Sequence, residues 1–108
     1  MTNVSEAWTH ALDGFLSWAR VERALARNTL LAYQADLSRL AVWMTAHGRS
    51  TPNAVQHDDL AAYVVALSGE GLDSRSLGRH RSSFRQFYRQ QLAEGLRTDD
   101  ASVLMAGA

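Results

Sequence analysis

A single all-α domain of four helices is what this 108-residue sequence predicts, on three observations. Proline occurs once, at Pro52, and β-branched residues are few, whereas alanine, leucine, arginine and glutamine abound, so intrinsic propensity favours helix almost throughout. Apolar residues recur at helical spacing in four separate stretches. Between those stretches fall the proline and Gly48, Gly69 and Gly71, the usual helix breakers. At this length the chain can bury one modest core. Its 46% hydrophobic and 20% charged content exclude disorder along the whole length.

Taken in order, the first helix is expected over about residues 5–24, with Trp8, Ala11, Leu12, Phe15 and Ala19 on one face. The second starts at a cap formed by Asn28 or Thr29 and runs to about His47, where Gly48 suits a C-terminal stop. Its apolar stripe is Leu30, Tyr33, Leu37, Leu40, Ala41 and Met44. The loop GRSTPNAVQH is the longest connection. Asp58 or His57 then caps a short third helix over about 59–68, with Leu60, Tyr63, Val64 and Leu67 inward. GEGLD breaks it. The fourth helix is capped by Asp73 or Ser74 and spans about 74–94, followed by a tail with room for a short fifth helix around Ser102 to Met105.

Formal net charge is zero, yet the charge is strongly segregated. Residues 1–73 hold five arginines and eight acids, residues 74–92 hold five arginines and no acid, and the remainder holds one arginine and three acids. Such polarisation speaks about partners rather than fold. On a helical wheel Leu77, His80, Phe84, Phe87, Tyr88 and Gln91 gather into one arc, while Arg75, Arg79, Ser82, Gln86 and Arg89 lie opposite, with Arg85 at the margin. A face shaped only for solubility mixes signs, because opposite charges at i,i+4 stabilise and like charges cost a few tenths of a kcal/mol. Here Arg75/Arg79, Arg81/Arg85 and Arg89 with Arg85 are all like-charge pairs at that spacing. An anionic partner accounts for the pattern better than solvation does. Arginine with serine and glutamine suits double-stranded DNA, whose phosphates and guanine edges the guanidinium forks can reach. An RNA duplex fits less well, since its deep, narrow major groove does not admit a helix.

Other chemistries find little support. No apolar run reaches the roughly 20 residues of a membrane span. The N-terminus lacks the order of a signal peptide and there is no cysteine, so a cytoplasmic location is expected. His10, His47, His57 and His80 have no i,i+4 partner and read as surface or boundary residues, so neither a metal nor a cofactor is expected. Tyr33, Tyr63 and Tyr88 sit on apolar stripes as core anchors rather than nucleophiles. The pair Asp58/Asp59 lies at a helix start, where it favours the dipole. Trp18 and Trp43 fall outside the main stripes and are expected to pack between helices or meet a neighbour.

The stretches FLSWARVERALARNTLLAYQADLSRLAVWM, DDLAAYVVAL, SRSLGRHRSSFRQFYRQQLAEG and RTDDASVLM, in this order and spacing, resemble the N-terminal core-binding, SAM-like domain of XerC/XerD-type tyrosine recombinases and phage-type integrases. The resemblance covers about Ala11 to Met105. It implies a four-helix bundle that forms half of a clamp around DNA, with the second and fourth helices toward the major groove. Carried over by position, the DNA-facing residues are Arg27, Asn28 and Thr29 on the second helix, continuing to Leu31, Ala32 and Ala35, and Arg75, Ser76, Arg79 and Ser83 on the fourth. Together with the wheel, the candidate DNA-binding set is Arg27, Asn28, Thr29, Arg75, Ser76, Arg79, Ser82, Ser83 and Gln86.

Leu31 and Ala35 depart from the polar or basic residues common there, and DDASV replaces the usual proline after the acid pair, which implies a less rigid exit toward a second domain. The catalytic residues of such recombinases belong to that second domain, which is absent from this chain, so the domain alone is expected not to cleave DNA. It is expected to be monomeric, and the full recombinase tetrameric on DNA with a partner recombinase. Two other readings stay open: a helical module gripping an acidic protein, and a free-standing helix-turn-helix regulator, against which the length of GEGLD counts.

Overall fold

The computed structural model describes residues 4–102, which contain four α-helices and no strand. They are α1 (Glu6–Glu22), α2 (Arg27–Ala46), α3 (His57–Gly69) and α4 (Ser74–Ala93), with a 3-10 turn at Pro52–Ala54. The chain divides into two compact units, one ending at Ala54 and the other beginning at Val55. The short fifth helix expected around Ser102 to Met105 lies, beyond Ser102, outside the described residues.

In the first unit α1 packs on α2. Ser5 caps α1 by accepting a hydrogen bond from Trp8 N at 3.2 Å. Glu6 in the first turn and Arg20 in the last both complement the helix dipole. Trp8, Phe15 and Ala19 are buried, as are Leu37, Leu40, Ala41 and Met44 of α2. The indole of Trp8 donates to Arg49 O at 2.8 Å, and Ser5 Oγ donates to Ser50 O. These two bonds tie the start of α1 to the segment after α2. Trp18 is half-buried beside Phe15, and Trp43 stacks on His47 with ring centroids 3.8 Å apart. Both tryptophans therefore find partners within their own unit.

Helix α2 begins earlier than expected. Its cap is Ala26, in extended conformation, and Leu30 N already donates to Ala26 O at 3.0 Å. Asn28 and Thr29 consequently sit inside the first turn rather than capping it. At the other end Gly48 takes φ +84°, and the bonds from Arg49 N to Met44 O and from Gly48 N to Thr45 O close a Schellman motif. Helices α3 and α4 end in the same way, but α1 has Ala24 in the left-handed position at φ +49°. A side chain there costs about 1 kcal/mol relative to glycine.

In the second unit α3 packs on α4. The third helix also starts earlier than expected, at His57, because Gln56 rather than His57 or Asp58 is the cap. Asp59 accounts for the shift: its carboxylate reaches back to accept from Gln56 N at 2.8 Å. Leu60, Tyr63, Leu67, Phe84, Phe87 and Tyr88 are buried. His80, expected at the surface or boundary, is 2% exposed and meets Tyr63 edge-on. It lies on the apolar arc of α4, and the sequence of that arc, rather than the residue type, decides its place.

Candidate nucleic-acid interface

The arginine face of α4 rests on how the helix is anchored. Asp73 is the N-cap, its carboxylate accepting from Ser76 N at 2.8 Å. That bond, a second to the Ser76 hydroxyl and the charge of Arg79 hold the Asp73 carboxyl below the usual range, so it stays ionised. Past this residue no acid occurs until Glu94. Buried residues on α4 are His80, Ser83, Phe84, Phe87, Tyr88, Gln90 and Gln91, which fill one side of the helix at about 100° per residue. The opposite side carries Arg75, Arg79, Ser82, Arg85, Gln86 and Arg89.

Arg75, Arg79 and Arg89 are exposed, and Arg81, Ser82, Arg85 and Gln86 are half-buried. The guanidinium of Arg85 donates to Ser82 Oγ at 3.3 Å, a bond that lays this arginine along the helix surface. The structure thus brings Arg75, Arg79, Ser82 and Gln86 onto one face. Two expected residues do not belong to it. Ser83 is fully buried and its hydroxyl donates to His80 O at 2.7 Å, so it has nothing to offer a groove. The wheel places Ser83 on the buried arc, and the resemblance alone had placed it outside. Ser76 is half-buried on the same arc, and its main-chain N–H serves the Asp73 cap. Gln86 is on the face, but its Oε1 is buried without a hydrogen-bond partner, leaving its amide nitrogen as the group for an outside acceptor.

In the other unit, Arg27 and Asn28 are exposed and Thr29 is half-buried in the first turn of α2. That turn has neither an acid nor a side-chain cap. Leu31 is 51% exposed.

Sequence reasoning missed the role of Arg97. Its guanidinium is buried, lies 5.1 Å from the Tyr88 ring centroid, and donates to Val55 O at 3.0 Å. It also pairs with Asp99 at 3.1 Å. Further along, Asp100 accepts from Ser102 N at 2.8 Å, and His57 Nδ1 donates to Ala101 O at 3.3 Å. The exit expected to be less rigid for lack of proline is therefore tied down as far as Ser102. Only the doublet of acids gave a sign of it: a carboxylate two residues ahead of an N–H forms such a turn readily. Burial of Tyr88 raises its hydroxyl pKa, an effect that Arg97 partly offsets.

Residues 12–95 match the phage integrase, N-terminal SAM-like domain family. The chain belongs to that family. It is 43% identical over 101 residues to tyrosine recombinase XerD of Caulobacter vibrioides, covering 94% of this chain and 32% of the relative. It is 38% identical to XerD of Rhizobium meliloti, over 97% of this chain and 32% of the relative. Tyrosine recombinase XerC of Xanthomonas campestris pv. campestris is 32% identical over 94% of this chain. The chain thus spans about a third of the length of the curated relatives it matches. No solved structure matches it. Among the described residues no helix is long and apolar enough to cross a membrane.

Proposed function

We propose that this chain is the DNA-binding clamp domain of a site-specific tyrosine recombinase. It binds and positions duplex DNA for strand exchange by a separate catalytic domain and carries out no chemistry itself. The observation that supports this most directly is the acid-free arginine face of α4, where Arg75, Arg79, Ser82 and Gln86 are presented together while the opposite side of the same helix is buried. Arg27, Asn28 and Thr29 add a second polar, cationic patch in the first turn of α2. Most of the affinity then comes from arginine–phosphate contacts and is salt-sensitive. In this reading the full recombinase is a tetramer on DNA with a partner recombinase, and it works in the cytoplasm, where chromosomal DNA is found.

Titration of a labelled duplex carrying a recombination half-site, by fluorescence anisotropy at several salt concentrations, tests the reading. Arg79→Ala is expected to lower the slope of log K against log salt by about one unit for the lost phosphate contact. Amide shifts at Arg75, Arg79 and Ser82 should accompany binding. An unchanged slope with no shifts on α4 overturns the DNA reading. The same shifts produced by an acidic peptide and not by DNA would transfer the face to a protein partner.

A further inference from the structure

Helix α2 carries apolar residues on more than its core side. Leu37, Leu40 and Met44 face inward, yet Leu31 is 51% and Val42 42% exposed on another face. With Gln34 and Ser38 these fall at 31, 34, 38 and 42, the spacing of a seam awaiting another helix. Helix α1 supplies the matching wall, because Thr9, Leu12, Leu16 and Arg20 recur at the same spacing beside its buried stripe. Two cavities of about 490 Å³ and 250 Å³ lie between these walls, and both are lined by Leu16 and Gln34, which makes them one groove. The stretch of α2 from Leu31 to Val42 spans roughly 16 Å at 1.5 Å per residue, enough for three turns of a docked helix.

The two ends of the groove differ in charge. At the α1–α2 turn it is flanked by Arg20 and Arg27, and its other half contains Asp13. The turn itself is strained: Ala24 is left-handed at φ +49°, and the following Leu25, whose N–H bonds to Ala19 O at 3.4 Å, lines the cationic end. Held strain beside a cavity is a feature of binding sites.

We propose that the α1–α2 groove is a docking site for an amphipathic helix of a protein partner, with leucine-type residues at i, i+3/4 and i+7 and a carboxylate at the end that meets Arg20 and Arg27. The apolar stripe of that helix covers Leu31 and Val42, its acid neutralises the arginine pair, and its other end is neutral or basic beside Asp13. The groove shares no residue with the arginine face of α4, but Arg27 and Leu31 also belong to the DNA-facing positions of α2 that the family resemblance implies.

The probe is a synthetic 16-residue helical peptide with leucines at those spacings and two glutamates in its first turn, titrated into the full 108-residue chain and followed by NMR. Two control peptides replace the glutamates by lysine or the leucines by alanine. Chemical-shift changes are expected at Leu16, Leu31, Gln34 and Val42, with binding at least tenfold weaker for either control. Arg20→Glu and Val42→Glu, both at exposed positions, should each weaken the peptide at least fivefold, with duplex binding and the circular dichroism spectrum unchanged. Equal binding of the lysine control, shifts confined to α4, or no binding overturns the proposal. Arg75→Ala/Arg79→Ala separates the two surfaces: it should weaken duplex binding at least tenfold and leave the peptide's affinity as it was. A duplex that binds the α1–α2 groove and competes with the peptide for all four shifted residues would also overturn it.

Discussion

Helices α2 and α4 are each 20 residues long, and they use that length in opposite ways. On α4 the two sides are sorted: one is buried and holds Phe84, Phe87 and Tyr88, while the other is cationic with no acid from Ser74 to Ala93. On α2 the signs are mixed, with Arg27, Asp36 and Arg39 along its length, and apolar residues stand both inward and outward. A helix that separates its faces cleanly can be read from sequence alone, because the period of burial and the period of charge reinforce each other. A helix with two apolar sides loses that contrast. On α2 the exposed Leu31 and Val42 blur the period that the buried Leu37, Leu40 and Met44 set.

The largest effect should come from the buried side of α4. Phe84 is fully buried and packs against Tyr63 and His80 at centroid distances of 5.7 and 6.3 Å. Phe84→Ala is expected to cost about 3–5 kcal/mol through lost burial and a residual cavity. Thermal unfolding followed by circular dichroism should show a drop in Tm of well over 10 °C, at about 4–8 °C per kcal/mol for a domain of this size. A drop of only a few degrees would mean that the two sides of α4 are less sorted than the burial pattern indicates.

Arg97→Ala comes next. It removes the donor to Val55 O and the cation over Tyr88, leaving a carbonyl and a buried ring without their partner. A loss of about 2–3 kcal/mol is expected in urea unfolding. Arg97→Lys should recover only part of it, because an ammonium cannot bond Val55 and Asp99 with one planar fork. Recovery to the level of the parent protein would show that charge, and not the fork, anchors the exit.

These cases show what was legible in the sequence. All four helices, the buried aromatic residues of α1 and α4 and the arginine face followed from spacing and composition. The starts of α2 and α3 did not, because Ala26 and Gln56 lack the side chains that usually announce a cap, and the local hydrogen bonds of Leu30 and Asp59 decided instead. Among the site residues, Arg75, Arg79, Ser82 and Gln86 came from the wheel and lie where the wheel put them. Ser83 came from positional resemblance, which carries no information about burial. Arg97 was invisible because its partners, Val55 and Tyr88, lie 42 and 9 residues away.

The strained end of α1 offers a smaller effect. Ala24 occupies a left-handed position that glycine fills at the ends of the other three helices. Ala24→Gly relieves the Cβ conflict but raises the entropy of the unfolded chain, and at this φ the relief prevails. A gain of about 0.5–1 kcal/mol in urea unfolding is expected. If stability falls instead, the turn is held by its contacts rather than tolerated, which would make α1–α2 the more tightly specified of the two helix pairs.

The smallest effect in stability is also the most diagnostic for α4. Arg85 stands at i,i+4 from both Arg81 and Arg89, so it takes part in two like-charge pairs, and its bond to Ser82 is long and half-exposed. Arg85→Glu converts both pairs to opposite charges, each worth about 0.2–0.5 kcal/mol, against the loss of the arginine's own contacts, the bond to Ser82 among them. Stability at low salt should rise by about 0.5 kcal/mol and the rise should fade as salt screens the pairs. Over the same range duplex affinity should fall, because an acid now stands in the middle of the arginines proposed to meet phosphate. A variant that is more stable and binds DNA less well would show that the arginine face is kept against the helix's own electrostatic preference. A loss of stability would mean that the contacts Arg85 makes outweigh the repulsion, and α4 would then be as locally satisfied as α2.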